Sequence, residues 1–218
     1  MADSGAEVWT MAELPGHPNS VFTRDAAVCV GDGYLHLRMG LSSRRGEPDW
    51  LATRLSAEGM PCLARITTPG TLEGGDVLLL AKHVIIGIST RTNRAGAGQA
   101  AALFSRLGYR PHFIEVPEPY LHAGGCMSVL GPESLLVTED VAPQLEAVDA
   151  ESITVPVGDF ITANVISLGD GRILAHRGDY VVSDLLARRG YSVRAVELGE
   201  FVKASGGPTC LIMPVSRW

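Results

Sequence analysis

The chain has few cysteines, no CxxC pair, no basic cluster and no long apolar run. Its four cysteines stand at positions 29, 62, 126 and 210. Unpaired spacing of this kind argues against a structural zinc site and, in a reducing compartment, against a disulfide framework, so free thiols are expected. The longest apolar stretches, Val77 to Leu80 and Val84 to Ile86, are separated by a turn holding Lys82 and His83. They fall far short of the roughly 20 residues of a membrane helix, and no membrane association is expected. Met1 to Glu7 offer neither a basic start nor an apolar block, which argues against a secretory leader and makes the cytoplasm the expected compartment. A net charge of −6 without basic clusters disfavours nucleic acid as a partner and favours a cationic small molecule. With 46% hydrophobic and 19% charged residues, the 218 residues are expected to form one globular domain, 1–218.

What the chain does have is a recurring pair of β-rich runs joined by turn residues. Val28–Val30 and Tyr34–Leu37 flank Gly31-Asp32-Gly33; Val77–Leu80 and Val84–Ile88 flank Ala81-Lys82-His83. Val129-Leu130 and Leu135–Val137 flank a Gly-Pro turn, and Val165–Leu168 and Arg172–Leu174 flank Gly169-Asp170-Gly171. Helical patterns follow at 48–58, 95–107, 139–148 and 180–189, then short strands at 62–66, 112–116, 153–155 and 193–196. The unit is ββαβ, repeated at roughly 35 to 50 residues, a period typical of ring-like arrays. Partial strands of one further unit are expected at 8–11 and 211–215.

Three segments carry chemistry. Ser205-Gly206-Gly207-Pro208-Thr209-Cys210 bends the backbone through residues that cannot continue a helix or pair in a central strand, which would display Cys210 at the mouth of a final strand. A small buried thiol is the alternative. Leu72-Glu73-Gly74-Gly75-Asp76 places two carboxylates around two glycines, where a plain polar turn is the alternative, and Asp76 is expected to brace the loop. Leu121-His122 supplies an imidazole, unless it is a solvent-facing loop residue. Nucleophile, base and acid are thus all present. Gly96-Ala97-Gly98 follows a hairpin and lacks the acidic residue of a dinucleotide loop, so no nucleotide is expected.

These segments, with Pro18-Asn19-Ser20-Val21-Phe22-Thr23-Arg24-Asp25, Gly87 to Asn93 and Ala163-Asn164-Val165, resemble the guanidino-group modifying superfamily from about residue 8 onward. The likeness is to the dimethylarginine dimethylaminohydrolases, with arginine deiminases as relatives. It implies an α/β fold, a five-bladed α/β propeller with the site in its central channel, and hydrolysis of a substituted arginine to citrulline and an amine without metal or organic cofactor. It implies catalytic roles for Cys210, His122 and Glu73. It also implies guanidinium recognition by Asp25 with Glu73, carboxylate recognition by Arg91 and Arg44, and further substrate contacts from Asn19, Phe22 and Ala204. Phe22 reads equally as core. Asn19 and Arg24 stand where the dimethylarginine enzymes have Asp and Glu, which looks more like the deiminases. His122-Ala123-Gly124 lacks the His-x-Asp of the deiminases, which favours an alkylated guanidine. The alternatives are arginine deiminase activity and a non-catalytic arginine-binding protein. The first blade reads as incomplete, and a homodimer is expected on that account.

Overall fold

The computed structural model describes residues 1–2 and 5–216. Their strands form four three-stranded sheets, each built the same way: an antiparallel hairpin whose second strand pairs in parallel with a third. The first sheet holds β1 (Ala27–Val30), β2 (Gly33–His36) and β3 (Cys62–Arg65), with helix α1 (Glu47–Ala57) as the crossover. The second holds β4 (Val77–Leu80), β5 (His83–Ile88) and β6 (Arg110–Glu115), crossed by α2 (Arg94–Arg106). A short helix α3 (Ala123–Cys126) leads into β7 (Met127–Gly131), β8 (Ser134–Thr138) and β9 (Glu151–Val155). The fourth holds β10 (Ile166–Ser167), β11 (Arg172–His176) and β12 (Ser192–Val196), crossed by α4 (Tyr180–Arg188). A last short helix, α5 (Gly199–Lys203), precedes the Gly-Gly-Pro bend.

The strand pattern of the repeat is therefore present four times, complete as ββαβ in the first, second and fourth units. The five-bladed ring is carried to that extent: among the described residues no fifth sheet forms. Residues 8–11 and 211–215 are not strands. Instead Met11, Met213 and Val215 pack on a cluster of Ala27, Cys29, Tyr34, Leu51 and Leu55, covering one face of the first sheet. Cys210 accordingly sits in a 3-10 turn, Pro208–Leu211, and not at the mouth of a strand. The helix expected at 139–148 is also replaced by a single 3-10 turn, Ala142–Leu145. Pro143 supplies no N–H and its ring opposes a preceding helical turn. The bonds observed, Gln144 N to Val141 O and Val148 N to Leu145 O, span three residues.

Strands buried on both faces explain why the apolar runs are continuous rather than alternating. In β4 and β5, Leu78, Leu80 and Ile85 point into one core with Met127, Val129, Leu135 and Val137 of the third sheet. Val77, Val84 and Ile86 point the other way, into a core with Val28, Leu35, Leu37 and the apolar side of α2. Leu130, Leu136, Val165 and Ile173 join the third and fourth sheets likewise. The second and third sheets are thus each wedged between two neighbours, and the loops where successive hairpins begin meet at a shared cleft.

Candidate active site

Residues 25, 73, 122 and 210 converge because each lies in a turn at the edge of a hairpin unit. Asp25 ends the 3-10 turn Thr23–Asp25 just before β1, and Glu73 immediately precedes the 3-10 turn Gly74–Asp76 that opens β4. His122 is the N-cap of α3, just before β7, and Cys210 lies in the turn after α5. The first three are buried: Asp25 is 3% exposed, Glu73 0% and His122 6%. Cys210 is half-buried and lines a cleft of about 740 Å³, including its open mouth, together with His122, Arg24, Asn164 and Thr209. The rest of the wall is apolar, with Leu78, Met127, Val129 and Ile161 among its residues.

Glycine at 74 and 75 is what lets these groups approach. A Cβ on Gly74 would lie 2.2 Å from the Arg24 carbonyl oxygen. One on Gly75 would lie 2.8 Å from His122 Cγ and 2.9 Å from Asp25 Oδ1. The two carboxylates and the imidazole therefore crowd around bare backbone.

His122 Nε2 is 2.8 Å from Glu73 Oε2, and the other oxygen of Glu73 accepts from Gly40 N at 3.0 Å. His122 Nδ1 is 4.0 Å from Asp25 Oδ1. That oxygen is buried and has no hydrogen-bond partner. Asp76 braces the site as the sequence suggests. Its Oδ2 accepts from Ser89 Oγ at 2.7 Å and Thr92 Oγ1 at 2.6 Å, and its Oδ1 from Ala123 N at 2.8 Å. Burial presses the His122 imidazole toward its neutral form, but Asp25, Asp76 and Glu73 together outweigh it and raise the pKa to about 9. Burial first, and then Asp25, raise the Cys210 thiol, against stabilisation of its thiolate by Gly207, Asn164 and Thr209. Cys29 and Cys126 are thiols pushed up to about 12, mainly by burial.

The structure separates the residues expected around the substrate. Arg44 is buried and its fork is spent inside the protein: Nε and Nη2 donate to Glu47 at 3.0 and 2.7 Å, and Nη1 donates to Asp25 Oδ2 at 2.8 Å. Nη2 also donates to the Asn19 carbonyl at 3.2 Å. Such an Arg44 is a counter-charge for Asp25 and Glu47 and has no free fork for a ligand carboxylate. Arg91 is half-buried, with its backbone N–H on Ser89 Oγ, and does not border the cleft of Cys210. Phe22 is core-like: its ring braces the Gly-Gly-Pro bend so closely that a Cβ on Gly206 would fall 2.1 Å from it. Ala204 is exposed, one residue before Ser205 of the cleft wall. Asn19 is half-buried, bonded through its carbonyl.

Asn164 is the residue for which the sequence reading supplied a motif and no role. Its Oδ1 accepts from Thr209 N at 2.8 Å and Thr209 Oγ1 at 2.9 Å, and its Nδ2 donates to Gly124 O at 2.8 Å and lies 3.7 Å from Cys210 Sγ. One amide thus ties the thiol's turn to the backbone just after His122. Glu47, which neutralises Arg44, gave no signal beyond its place at the first turn of α1. Asp25, Glu73 and His122 bring ligand atoms within 4.8 Å of one another, the one such group among the described residues. Arg44 Nη1, 2.8 Å from Asp25 and 3.7 Å from Glu73, already supplies the positive charge a metal ion would bring.

Repeated ββαβ units around a cleft with buried carboxylates, an imidazole and a thiol define the class of guanidino-group hydrolases, enzymes acting on guanidino C–N bonds. Within it, the chain belongs to the arginine deiminase family, whose model matches residues 6–123. It is 30% identical over 194 residues to N(G),N(G)-dimethylarginine dimethylaminohydrolase of Pseudomonas aeruginosa, a match covering 89% of this chain and 76% of that one. It is 33% identical over 211 residues to the enzyme of the same name from Streptomyces coelicolor, covering 95% and 80%. The structure of a mutant of the Pseudomonas aeruginosa enzyme complexed with citrulline superposes with a TM-score of 0.81 at 29% identity, covering 90% of this chain and 76% of that one.

Proposed function

We propose that the protein hydrolyses an N-methylated arginine, asymmetric dimethylarginine or monomethylarginine, to citrulline and a methylamine through a thiouronium on Cys210. The observation that carries this reading is the unpartnered Asp25 Oδ1, a buried carboxylate oxygen 4.0 Å from His122 Nδ1. A buried carboxylate oxygen left without a donor is costly, and a planar cation with forked N–H groups is the ligand that satisfies it. The relatives named for dimethylarginine support the same substrate class.

The chemistry follows from the charges. A guanidinium bound at Asp25 neutralises the carboxylate that, after burial, holds the Cys210 thiol up, so the thiolate forms with substrate present. The thiolate attacks the guanidinium carbon. In the tetrahedral adduct the C–N bond to the alkylated nitrogen breaks while His122, protonated at neutral pH by its carboxylate neighbours, gives that nitrogen a proton. The amine leaves a thiouronium. His122, now neutral, takes a proton from water, the hydroxide adds to the same carbon, and cleavage of the C–S bond, with the adduct's hydroxyl proton lost to solvent, releases citrulline and regenerates the thiolate. Glu73 holds the imidazole in place through the 2.8 Å contact.

A second reading, hydrolysis of free arginine, is favoured by the arginine deiminase family match and by Asn19 and Arg24 in the segment that resembles deiminases. A citrulline colour assay against asymmetric dimethylarginine, monomethylarginine, arginine and agmatine decides between them. Highest kcat/KM on a methylated arginine, with activity below about 1% in Cys210→Ser, is the expected result. Preference for arginine establishes the second reading, and no citrulline from any of the four leaves a binding protein.

A further inference from the structure

We propose that Arg24 is the built-in cation of Cys210, a positioning residue whose charge favours the thiolate in addition to the charge that the substrate brings. The inference rests on the reading of Cys210 as nucleophile and concerns a residue to which that reading gives no part.

The turn holding Arg24 packs directly on the turn holding Cys210, pinned by Thr23 Oγ1 donating to Leu211 O at 3.2 Å. Both side chains border the same cleft. Arg24 is anchored at one end only: Nη2 donates to the Val77 carbonyl at 2.6 Å. Among the described residues no carboxylate lies within ion-pair distance of it, although the other arginine of this region, Arg44, has two such partners within 3 Å. Its backbone cannot shift to find one, because the Arg24 carbonyl is wedged against Gly74. A half-buried guanidinium without an ion-paired anion is costly, and the group in its cleft that becomes an anion is the Cys210 sulfur.

The electrostatics agree. Burial lowers the Arg24 pKa, as expected for a cation lacking a full partner, while Asp25 and Cys210 are the leading groups that raise it. The charges facing Cys210 are then Arg24 and Asp25 from its neighbouring turn and His122 across the cleft, with Glu73 and Asp76 behind His122 and Arg44 behind Asp25. Asp25 opposes the thiolate, Gly207, Asn164 and Thr209 stabilise it, and its coupling to Arg24 shows on the arginine, whose pKa it raises. Arg24 also favours the thiolate of Cys29, but burial holds that thiol up to about 12 and it does not border the cleft, whereas Cys210 does.

The test reads the thiol and not turnover, so it is independent of which guanidine, if any, is the substrate. Alkylation of the Cys210 peptide by iodoacetamide is followed by mass spectrometry from pH 5 to 10, with exposed Cys62 as the internal standard. Arg24→Gln and Arg24→Met should each shift the apparent pKa of Cys210 upward by on the order of one unit, about a tenfold slower alkylation at pH 7, and leave Cys62 unchanged. Arg24→Lys should restore most of the difference. Arg24→Met keeps the stem's packing, so loss of folding in one variant leaves the other to be read, and far-UV circular dichroism identifies the folded one. An unchanged Cys210 profile in a folded neutral variant, or equal shifts in Arg24→Lys and Arg24→Met, overturns the proposal. Failure of the citrulline assay with the expected shift intact would remove the proposed substrate and keep the ion pair.

Discussion

His122 is the residue on which the charges of the cleft converge. Three carboxylates act on one buried imidazole and lift it to about 9 against the pull of burial. A histidine whose folded pKa lies above its ordinary value of about 6.5 contributes stability that is complete below that value and is lost as pH rises through about 9. The thermal midpoint of the wild-type protein should therefore fall between about pH 6.5 and pH 9, relative to His122→Gln measured in parallel. A pH-independent difference would mean that the imidazole is not charged in the folded state. Glu73→Gln should remove the carboxylate hydrogen-bonded to the ring, and imidazole titration by NMR should show the His122 pKa lowered. The same substitution with an unmoved pKa would assign the charge to Asp25 and Asp76 alone.

Among the elements, glycines mark where close approach matters and where it does not. Gly75 opens β4 directly beneath the imidazole, and a methyl there meets His122 and Asp25 at under 3 Å. Gly75→Ala should lower kcat by about a hundredfold, the scale of a misplacement near 1 Å, while the circular dichroism spectrum stays that of the wild type. Full activity would show that the loop yields without cost. Gly98, in the middle of α2, has open space around its Cβ position. Gly98→Ala should stabilise the protein by about 0.5–1 kcal/mol in urea unfolding without touching activity, because it relieves only the backbone entropy of a helical glycine. Gly96, two residues earlier, is different: its Cβ would sit 2.1 Å from the Thr71 carbonyl, so the helix needs glycine there to pack on the strand loop.

For the whole molecule, the site has no local basis. Asp25, Glu73, His122 and Cys210 come from turns attached to different sheets, and the intervening cores join those sheets in sequence. We propose that residues 1–218 behave as one cooperative unit. Citrulline formation and far-UV circular dichroism should then be lost at the same urea concentration. Activity lost at clearly lower urea, with the spectrum intact, would show that the Cys210 turn or its Asn164 clamp opens by itself.

The repeat was legible because hairpin turns and apolar runs are local signals: Gly31-Asp32-Gly33 and Gly169-Asp170-Gly171 mark their turns whatever surrounds them. Cys210, His122 and Glu73 were legible because they stand within a few residues of glycine pairs, and Asp25 because residues 18–25 resemble a known family. Helix 139–148 was misread since Pro143 weighs against a pattern that periodicity alone accepts, and strand 211–215 since an apolar run says nothing about which edge it will find. Partnership was decided only in three dimensions. Arg44 reads in the sequence as a ligand for a carboxylate, yet folding sets Glu47 and Asp25 against it, because a buried guanidinium must be matched by whatever anions the core brings near. Asn164 and Arg24 carry no chemical signature of their own, and their places beside Cys210 come from contacts 46 and 188 residues apart in the chain, Asn164 to Cys210 and Thr23 to Leu211, which no local pattern encodes.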